Sequence, residues 1–238
     1  MITGGVTATR GIVERWLTSS QPAVIFDFNG TLSDDEPILF DIFSDLFATH
    51  LHWEMTADEY RDDLLGHSDR EIVQAAVARQ GGGGDMVDEL LRLRRTQYKE
   101  RVRQHNPILP ATLEMVRQFV DHRIPMGIVT GAQRGDVIAV LDSSPAGSHI
   151  NVLVAEEDVA KCKPDPEGFL SGARQLRRRP SDILVFEDSV PGVRAALAAR
   201  MQCIAVNARP SAELLSVAPA VVGGLSAQIV SEALTRRN

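Results

Sequence analysis

Val24-Ile25-Phe26-Asp27-Phe28-Asn29-Gly30-Thr31-Leu32 is the stretch from which the fold can be read. Val24, Ile25, Phe26 and Phe28 show no polar alternation, the pattern of a strand buried on both faces in the middle of a parallel sheet. Gly30 lets the backbone turn sharply just past the carboxyl end of that strand. Open α/β sheets bind their ligands at that end. Asp27 is a carboxylate set among apolar residues, which is costly unless something pairs with it. Taken alone, it would serve as well to cap the following turn as to do chemistry.

Downstream of this strand the pattern changes. Between Glu36 and Asn106 no convincing strand occurs. Phe40, Phe43, Leu46 and Phe47 recur at helical spacing, and Leu64, Ile72, Val73, Ala76 and Val77 predict further helix. Gly81 to Gly84 must interrupt the chain, with Asp85 as the expected N-cap of the next helix. That helix carries Val87, Leu91, Tyr98 and Val102 on one side and a basic stripe of Arg92, Arg95, Lys99 and Arg103, the usual mark of a solvated face. Upstream, Ile12 to Leu17 is a short amphipathic stretch expected to pack on the outside of the core.

From Pro107 onward strands and helices alternate. Met126–Thr130, Val152–Ala155, Ile183–Phe186, Cys203–Val206 and Ala220–Val222 are apolar runs. Helical patterns separate them at Ala111–His122, Gln133–Leu141, Pro166–Arg177, Pro191–Arg200 and Ser211–Val217. The alternation predicts a parallel α/β sheet covered by helices on both faces. Residues 1–33 and 107–238 form the expected sheet domain, and 34–106 an inserted all-α unit that follows the Asp27 strand and is placed to act as a lid.

Composition narrows the function. The chain has 238 residues, 44% of them hydrophobic, enough for a sizeable core. A net charge of −7 argues against nucleic acid and anionic membranes as partners. No apolar run approaches the ~20 residues that span a bilayer, and the start lacks the signature of a signal peptide. Two cysteines, Cys162 and Cys203, make no disulfide framework, so a cytoplasmic protein is expected.

The strand ends carry the chemistry. Asp27, Thr130, Glu187 and Asp188 all lie at carboxyl ends of parallel strands, and Lys163 lies in a loop before a helix. Such ends converge in space although about 160 residues separate the first from the last. The set suits phosphoryl transfer. A carboxylate can attack phosphorus while a second acidic cluster holds Mg2+. The Thr130 hydroxyl and the N–H groups after it can bind phosphate oxygens, and Lys163 neutralises the charge on nucleophile and phosphate. Oxygen-only ligands favour Mg2+ over a transition metal.

Four segments in order resemble the haloacid dehalogenase (HAD) superfamily, subfamily I with a helical cap. They are Asp27-Phe28-Asn29-Gly30-Thr31-Leu32, Ile128-Val129-Thr130-Gly131, Lys163-Pro164-Asp165-Pro166, and Phe186-Glu187-Asp188-Ser189 leading into Pro191-Gly192-Val193-Arg194. The resemblance covers roughly residues 22–235. It implies a Rossmannoid parallel-sheet core, a cap, and Mg2+-dependent hydrolysis of a small phosphorylated metabolite through an aspartyl-phosphate on Asp27, by a monomer or homodimer. It implies a metal site of Asp27, the Asn29 carbonyl, Glu187 (direct or through water) and Asp188. The implied substrate contacts are Gly30, Thr130, Gly131 and Lys163, with His67, Ser68 and Arg70 from the stretch Gly66–Glu71, where Ser68 or Asp69 would equally begin a helix.

One position departs from the family pattern. Family phosphatases usually carry Asp two residues after the nucleophile as general acid and base, and here that residue is Asn29. A neutral amide exchanges no proton at pH 7, and such help is worth about 10²–10⁴-fold. Asp34, Asp35, Glu36 and His67 are possible stand-ins. The alternative function is a phosphate-binding protein with impaired catalysis. A phosphomutase is disfavoured because it relies on the missing acid, and a phosphonate hydrolase because the cap stretch offers no lysine. A dehalogenase would not need the Glu187-Asp188 pair. Cys162 lies between Lys161 and Lys163 but has no His–Asp pattern to support a nucleophile.

Overall fold

Consecutive apolar runs of four or five residues dictate a sheet, because strands so short can bury both faces only under helices on either side. In the computed structural model, which describes residues 3–64 and 68–236, six parallel strands form one sheet. They are β1 (Ala23–Phe26), β2 (Met126–Val129), β3 (Ile150–Val154), β4 (Ile183–Glu187), β5 (Gln202–Val206) and β6 (Val221–Val222), in the order β3-β2-β1-β4-β5-β6. Every residue of β1, β2 and β4 is buried. Edge strands β3 and β6 are partly exposed, as edges must be.

The chain falls into two compact units, residues 1–34 with 107–238, and residues 35–106. In the sheet unit the helices are α1 (Thr3–Leu17), α6 (Pro110–Asp121), α7 (Arg134–Asp142), α8 (Glu167–Leu176), α9 (Val190–Ala198), α10 (Ala212–Val217) and α11 (Ser231–Thr235). One face of the sheet packs Ala23, Ile25, Ile183 and Val185 against Phe169 and Ala173 of α8 and Val193 and Ala196 of α9. On the alternate positions Phe26 stacks on Phe186 with centroids 5.5 Å apart, Phe119 of α6 lies 6.2 Å from Phe26, and Trp16 of α1 meets Phe119 edge-on at 6.1 Å. Each of these fully buried rings contributes about 1.5–3 kcal/mol by leaving water.

The amphipathic stretch near Ile12 belongs to a longer helix than its apolar spacing indicated, because Thr3–Gly11 continues it without adding an apolar stripe. Ile12, Val13 and Trp16 are buried, and Trp16 Nε1 donates to both Ala23 O (3.0 Å) and Asp182 O (3.1 Å), tying α1 to the amino ends of β1 and β4.

The second unit is helical throughout its described residues: α2 (Glu36–Leu51), α3 (Ala57–Glu59) running into a π-turn at Tyr60–Leu64, α4 (Asp69–Arg79) and α5 (Gly84–Gln104). Its core comprises Ile42, Phe43 and Phe47 of α2, Val73 and Ala76 of α4, and Leu90, Tyr98 and Val102 of α5. Asp85 is not the N-cap of α5. Gly83 takes that place in extended geometry, and Asp85 lies in the first turn, where its negative charge faces the positive end of the helix. No helix among the described residues is long and apolar enough to cross a membrane.

Candidate active site

The strand order runs outward from β1 to β3 on one side and from β4 to β6 on the other, so the direction of winding changes between β1 and β4. A crevice opens at the carboxyl ends of such a pair. Phe26 is paired with Phe186, and Asp27 N donates to Phe186 O at 2.8 Å. Asp27 and Glu187 therefore leave the sheet side by side. Register alone brings together two residues that are 160 positions apart in sequence.

Both carboxylates are buried, Asp27 at 6% and Glu187 at 1% exposure, and Lys163 holds them together. Lys163 reaches in from the loop between β3 and α8, followed by a cis peptide to Pro164. Its Nζ lies 2.5 Å from Asp27 Oδ1 and 2.7 Å from Glu187 Oε1, with the Phe169 ring 5.4 Å away. Asp27, Glu187 and Asp188 each place a carboxylate oxygen within 4.8 Å of the others. Three carboxylates against one ammonium leave the site short of positive charge.

The electrostatics follow from that imbalance. Burial alone would make Lys163 easier to deprotonate, but the charges of Asp27 and Glu187, and hydrogen bonds to both, hold it above the ordinary lysine value. The Asp188 carboxyl is pushed well above its usual range, first by burial and then by the neighbouring charges of Asp27 and Glu187. A hard divalent cation would relieve that repulsion. The oxygen-only donor set of Asp27, Glu187 and Asp188 is of the kind that suits Mg2+.

Two glycines make room for the acidic groups. Gly30 has φ +72°, in the left-handed region, and a β-carbon there would stand 2.5 Å from Asp188 Oδ2. A β-carbon on Gly192, near the start of α9, would overlap the Glu187 carboxylate. The Glu187 oxygens are both engaged: Oε1 by Lys163, and Oε2 by Ser189 N at 2.6 Å and Ser189 Oγ at 2.9 Å. Nothing in the residue types alone signalled the parts played by Ser189 and Gly192. Their cue was their place in the segment Phe186-Glu187-Asp188-Ser189 leading into Pro191-Gly192.

Thr130 follows β2 and is buried, its Oγ1 accepting from Ala132 N at 3.0 Å. Gly131 is exposed, with open space where a side chain would be. Glu157 Oε1 and Oε2 accept from Arg134 N at 3.2 and 3.1 Å, so the first turn of α7 already carries an internal carboxylate. Asn29 is half-buried, its backbone bridged to Ser33 in the tight turn that Gly30 N closes by donating to Ser33 O at 2.8 Å.

The remaining sequence candidates lie in the helical unit. Ser68 is the N-cap of α4, in a reciprocal capping box with Glu71, which realises the helix-start reading of that stretch. Arg70 is exposed and pairs with Asp88 at 3.0 Å. His67 lies outside the described residues. Asp35 is fully buried and accepts from the Tyr98 hydroxyl, and Glu36 accepts from the Tyr60 hydroxyl at 3.1 Å. Arg94, which the sequence does not set apart from its basic neighbours Arg92 and Arg95, is almost fully buried and pairs with Asp69 at 3.0 Å.

A profile of the haloacid dehalogenase-like hydrolases matches residues 24–206. Among curated proteins, the chain is 29% identical over 212 residues to validoxylamine A 7'-phosphate phosphatase of Streptomyces hygroscopicus subsp. limoneus, covering 85% of this chain and 93% of that one. It is 28% identical over 186 residues to hexitol phosphatase B of Escherichia coli K12, covering 78% and 83%. Its fold is similar to that of a CbbY mutant from Rhodobacter sphaeroides solved with xylulose-(1,5)bisphosphate, at a TM-score of 0.73 and 23% identity over 86% of this chain and 94% of that one. The match spans most of the chain, including β1 with Asp27, β2, β4 with its acidic pair, and β5. The chain belongs to the haloacid dehalogenase-like hydrolases.

Proposed function

We propose that this hydrolase is a phosphatase that removes phosphate from a small phosphorylated metabolite, with Asp27 as nucleophile and Mg2+ as cofactor. The observation that carries the reading is the Lys163 ammonium held between Asp27 and Glu187 inside a carboxylate cluster at the switch point of the sheet. Relatives named as phosphatases of phosphorylated small molecules support the substrate class.

In this mechanism an oxygen of Asp27 attacks phosphorus as the bond to the leaving oxygen breaks, giving an aspartyl-phosphate that water then hydrolyses. Lys163 neutralises charge on the nucleophile and on the phosphate oxygens. Thr130 and the N–H groups after it, with Gly30, orient those oxygens. Asp27, Asp188 and the Asn29 carbonyl would hold Mg2+, with Glu187 direct or through water, and the ion would supply further positive charge. The helical unit takes the part of the family's cap, with Ser68 and Arg70 as its candidate substrate contacts. Asn29 hands no proton to the leaving group, so the enzyme works best on phosphates whose leaving group departs as a stable anion.

Turnover of a panel of sugar phosphates, acyl phosphates, aryl phosphates, nucleotides and phosphonates, with and without Mg2+, tests this. Mg2+-dependent release of phosphate that is lost in Asp27→Asn supports it. Hydrolysis that survives Asp27→Asn sinks it. Asn29 also favours a second reading, a phosphate-binding protein without turnover, which tight binding of a panel member with no release from any of them would establish.

A further inference from the structure

We propose that Ser189 is a positioning residue for Lys163, acting through Glu187. This rests on the phosphatase reading for its effect on turnover, but not for its geometry. Ser189 is the N-cap of α9 and does two things with one hydroxyl: Oγ accepts from Gly192 N at 3.1 Å and donates to Glu187 Oε2 at 2.9 Å. Ser189 N donates to the same oxygen at 2.6 Å. The other oxygen, Oε1, is what Lys163 Nζ holds at 2.7 Å while reaching Asp27 at 2.5 Å.

A continuous chain of hydrogen bonds therefore runs from the first turn of α9 through Ser189, Glu187 and Lys163 to Asp27. Gly192 completes it, since a side chain there would push into the Glu187 carboxylate. Glu187 is 1% exposed and lies at the positive end of a nine-residue helix. A carboxylate held this way fixes the height and direction of the ammonium against the nucleophile. With Oε2 held by Ser189 and Oε1 by Lys163, Glu187 sets the position of the Lys163 ammonium.

Losing a group that orients a metal ligand typically costs about 10–100-fold in metal affinity or activity, and a comparable loss is expected for one that orients Lys163. Removing the hydroxyl also removes a helix cap, so the variants must separate the two roles. Ser189→Asp keeps an acceptor for Gly192 N but has no donor for Glu187 and adds a like charge beside it. Ser189→Thr keeps both.

The test is the kcat and KM of each variant on para-nitrophenyl phosphate with Mg2+, with acetylation of Lys163 followed by mass spectrometry as a readout independent of turnover. Ser189→Asp and Ser189→Ala are expected to lose kcat about 10–100-fold with little change in KM, and to acetylate faster at Lys163. Ser189→Thr is expected to match the wild type in both. If Ser189→Asp keeps wild-type kcat and wild-type protection of Lys163, Ser189 is only a helix cap and the proposal is overturned. If the wild type turns over no phosphate yet Lys163 is exposed to acetylation only in Ser189→Asp and Ser189→Ala, the phosphatase reading fails and the positioning role stands.

Discussion

Gly30 and Asp188 are fitted to each other: a β-carbon at position 30 would stand 2.5 Å from Oδ2 of Asp188, closer than real contacts allow. The backbone there has φ +72°, which a residue with a side chain adopts only at a cost of about 1–2 kcal/mol. Gly30→Ala must therefore both strain the turn and displace Asp188. Calorimetry is expected to show Mg2+ affinity lowered by more than tenfold, with chemical denaturation showing a loss of roughly 1–3 kcal/mol. Unchanged Mg2+ affinity would mean that Asp188 is not a ligand.

Asp188 and Asn29 are expected to differ as Mg2+ ligands. Asp188 would act through its carboxylate, whose charge is what burial and the neighbouring Asp27 and Glu187 resist. On the proposed metal set Asn29 would act through its backbone carbonyl, which any residue supplies. Asp188→Ala should abolish the calorimetric Mg2+ signal and Asn29→Ala should keep it. Equal loss in both would mean that the metal set is drawn wrongly.

The cysteines should separate cleanly by reactivity. Cys162 is exposed next to Lys163, whereas Cys203 is buried in β5, its thiol pushed far up by burial and then by the charge of Glu187. The thiolate is the reactive form. Ellman's reagent should titrate a single thiol per native chain and both in denaturant, and Cys162→Ser should leave none reactive in the folded state. A native chain that titrates two thiols would contradict the burial of β5.

Three helices of the sheet unit end in arginines with left-handed backbone: Arg123 after α6 (φ 55°), Arg177 after α8 (φ 55°) and Arg200 after α9 (φ 60°). Glycine takes that conformation without a side-chain penalty, while arginine gains back part of it from the helix dipole. Arg123→Gly, Arg177→Gly and Arg200→Gly should each stabilise by about 0.5 kcal/mol. Being on separate helices, their gains should add in the triple variant. A melting temperature that falls in all three would show that the arginine side chains make contacts worth more than the strain.

Parallel strands such as β1 and β4 are legible in the sequence because an uninterrupted apolar run of four or five residues has no stable home except between two layers of helices. Their carboxyl ends are legible for the same reason, and Asp27, Glu187 and Asp188 converge as parallel strands require. What stays hidden is which group each carboxylate meets. Strand position says that Glu187 lies at the site, but not that Ser189 and Lys163 occupy its two oxygens, since that depends on how α9 begins. The start of α5 is hidden for a different reason. Four consecutive glycines give the backbone no preference, so Gly83 rather than Asp85 is the cap.

On the proposed mechanism, Asn29 is the residue that limits what the enzyme turns over. Lys163 lies on Asp27 and Thr130 on its loop, where the proposed mechanism needs them, but the residue two positions beyond the proposed nucleophile carries no titratable proton. Asp35 and Glu36 accept from Tyr98 and Tyr60 within the helical unit, so they are already engaged there. Loss of the proton donor should fall on substrates whose leaving group is a poor anion, by about 10²–10⁴-fold, and spare those that leave as a stable one. An acyl or aryl phosphate should therefore be hydrolysed much faster than an alkyl phosphate by the native chain. Asn29→Asp should raise the alkyl phosphate rate by at least tenfold and the activated rate far less. Both rates should vanish in Asp27→Asn. Brisk native turnover of alkyl phosphates, unchanged by Asn29→Asp, would show that another residue supplies the proton.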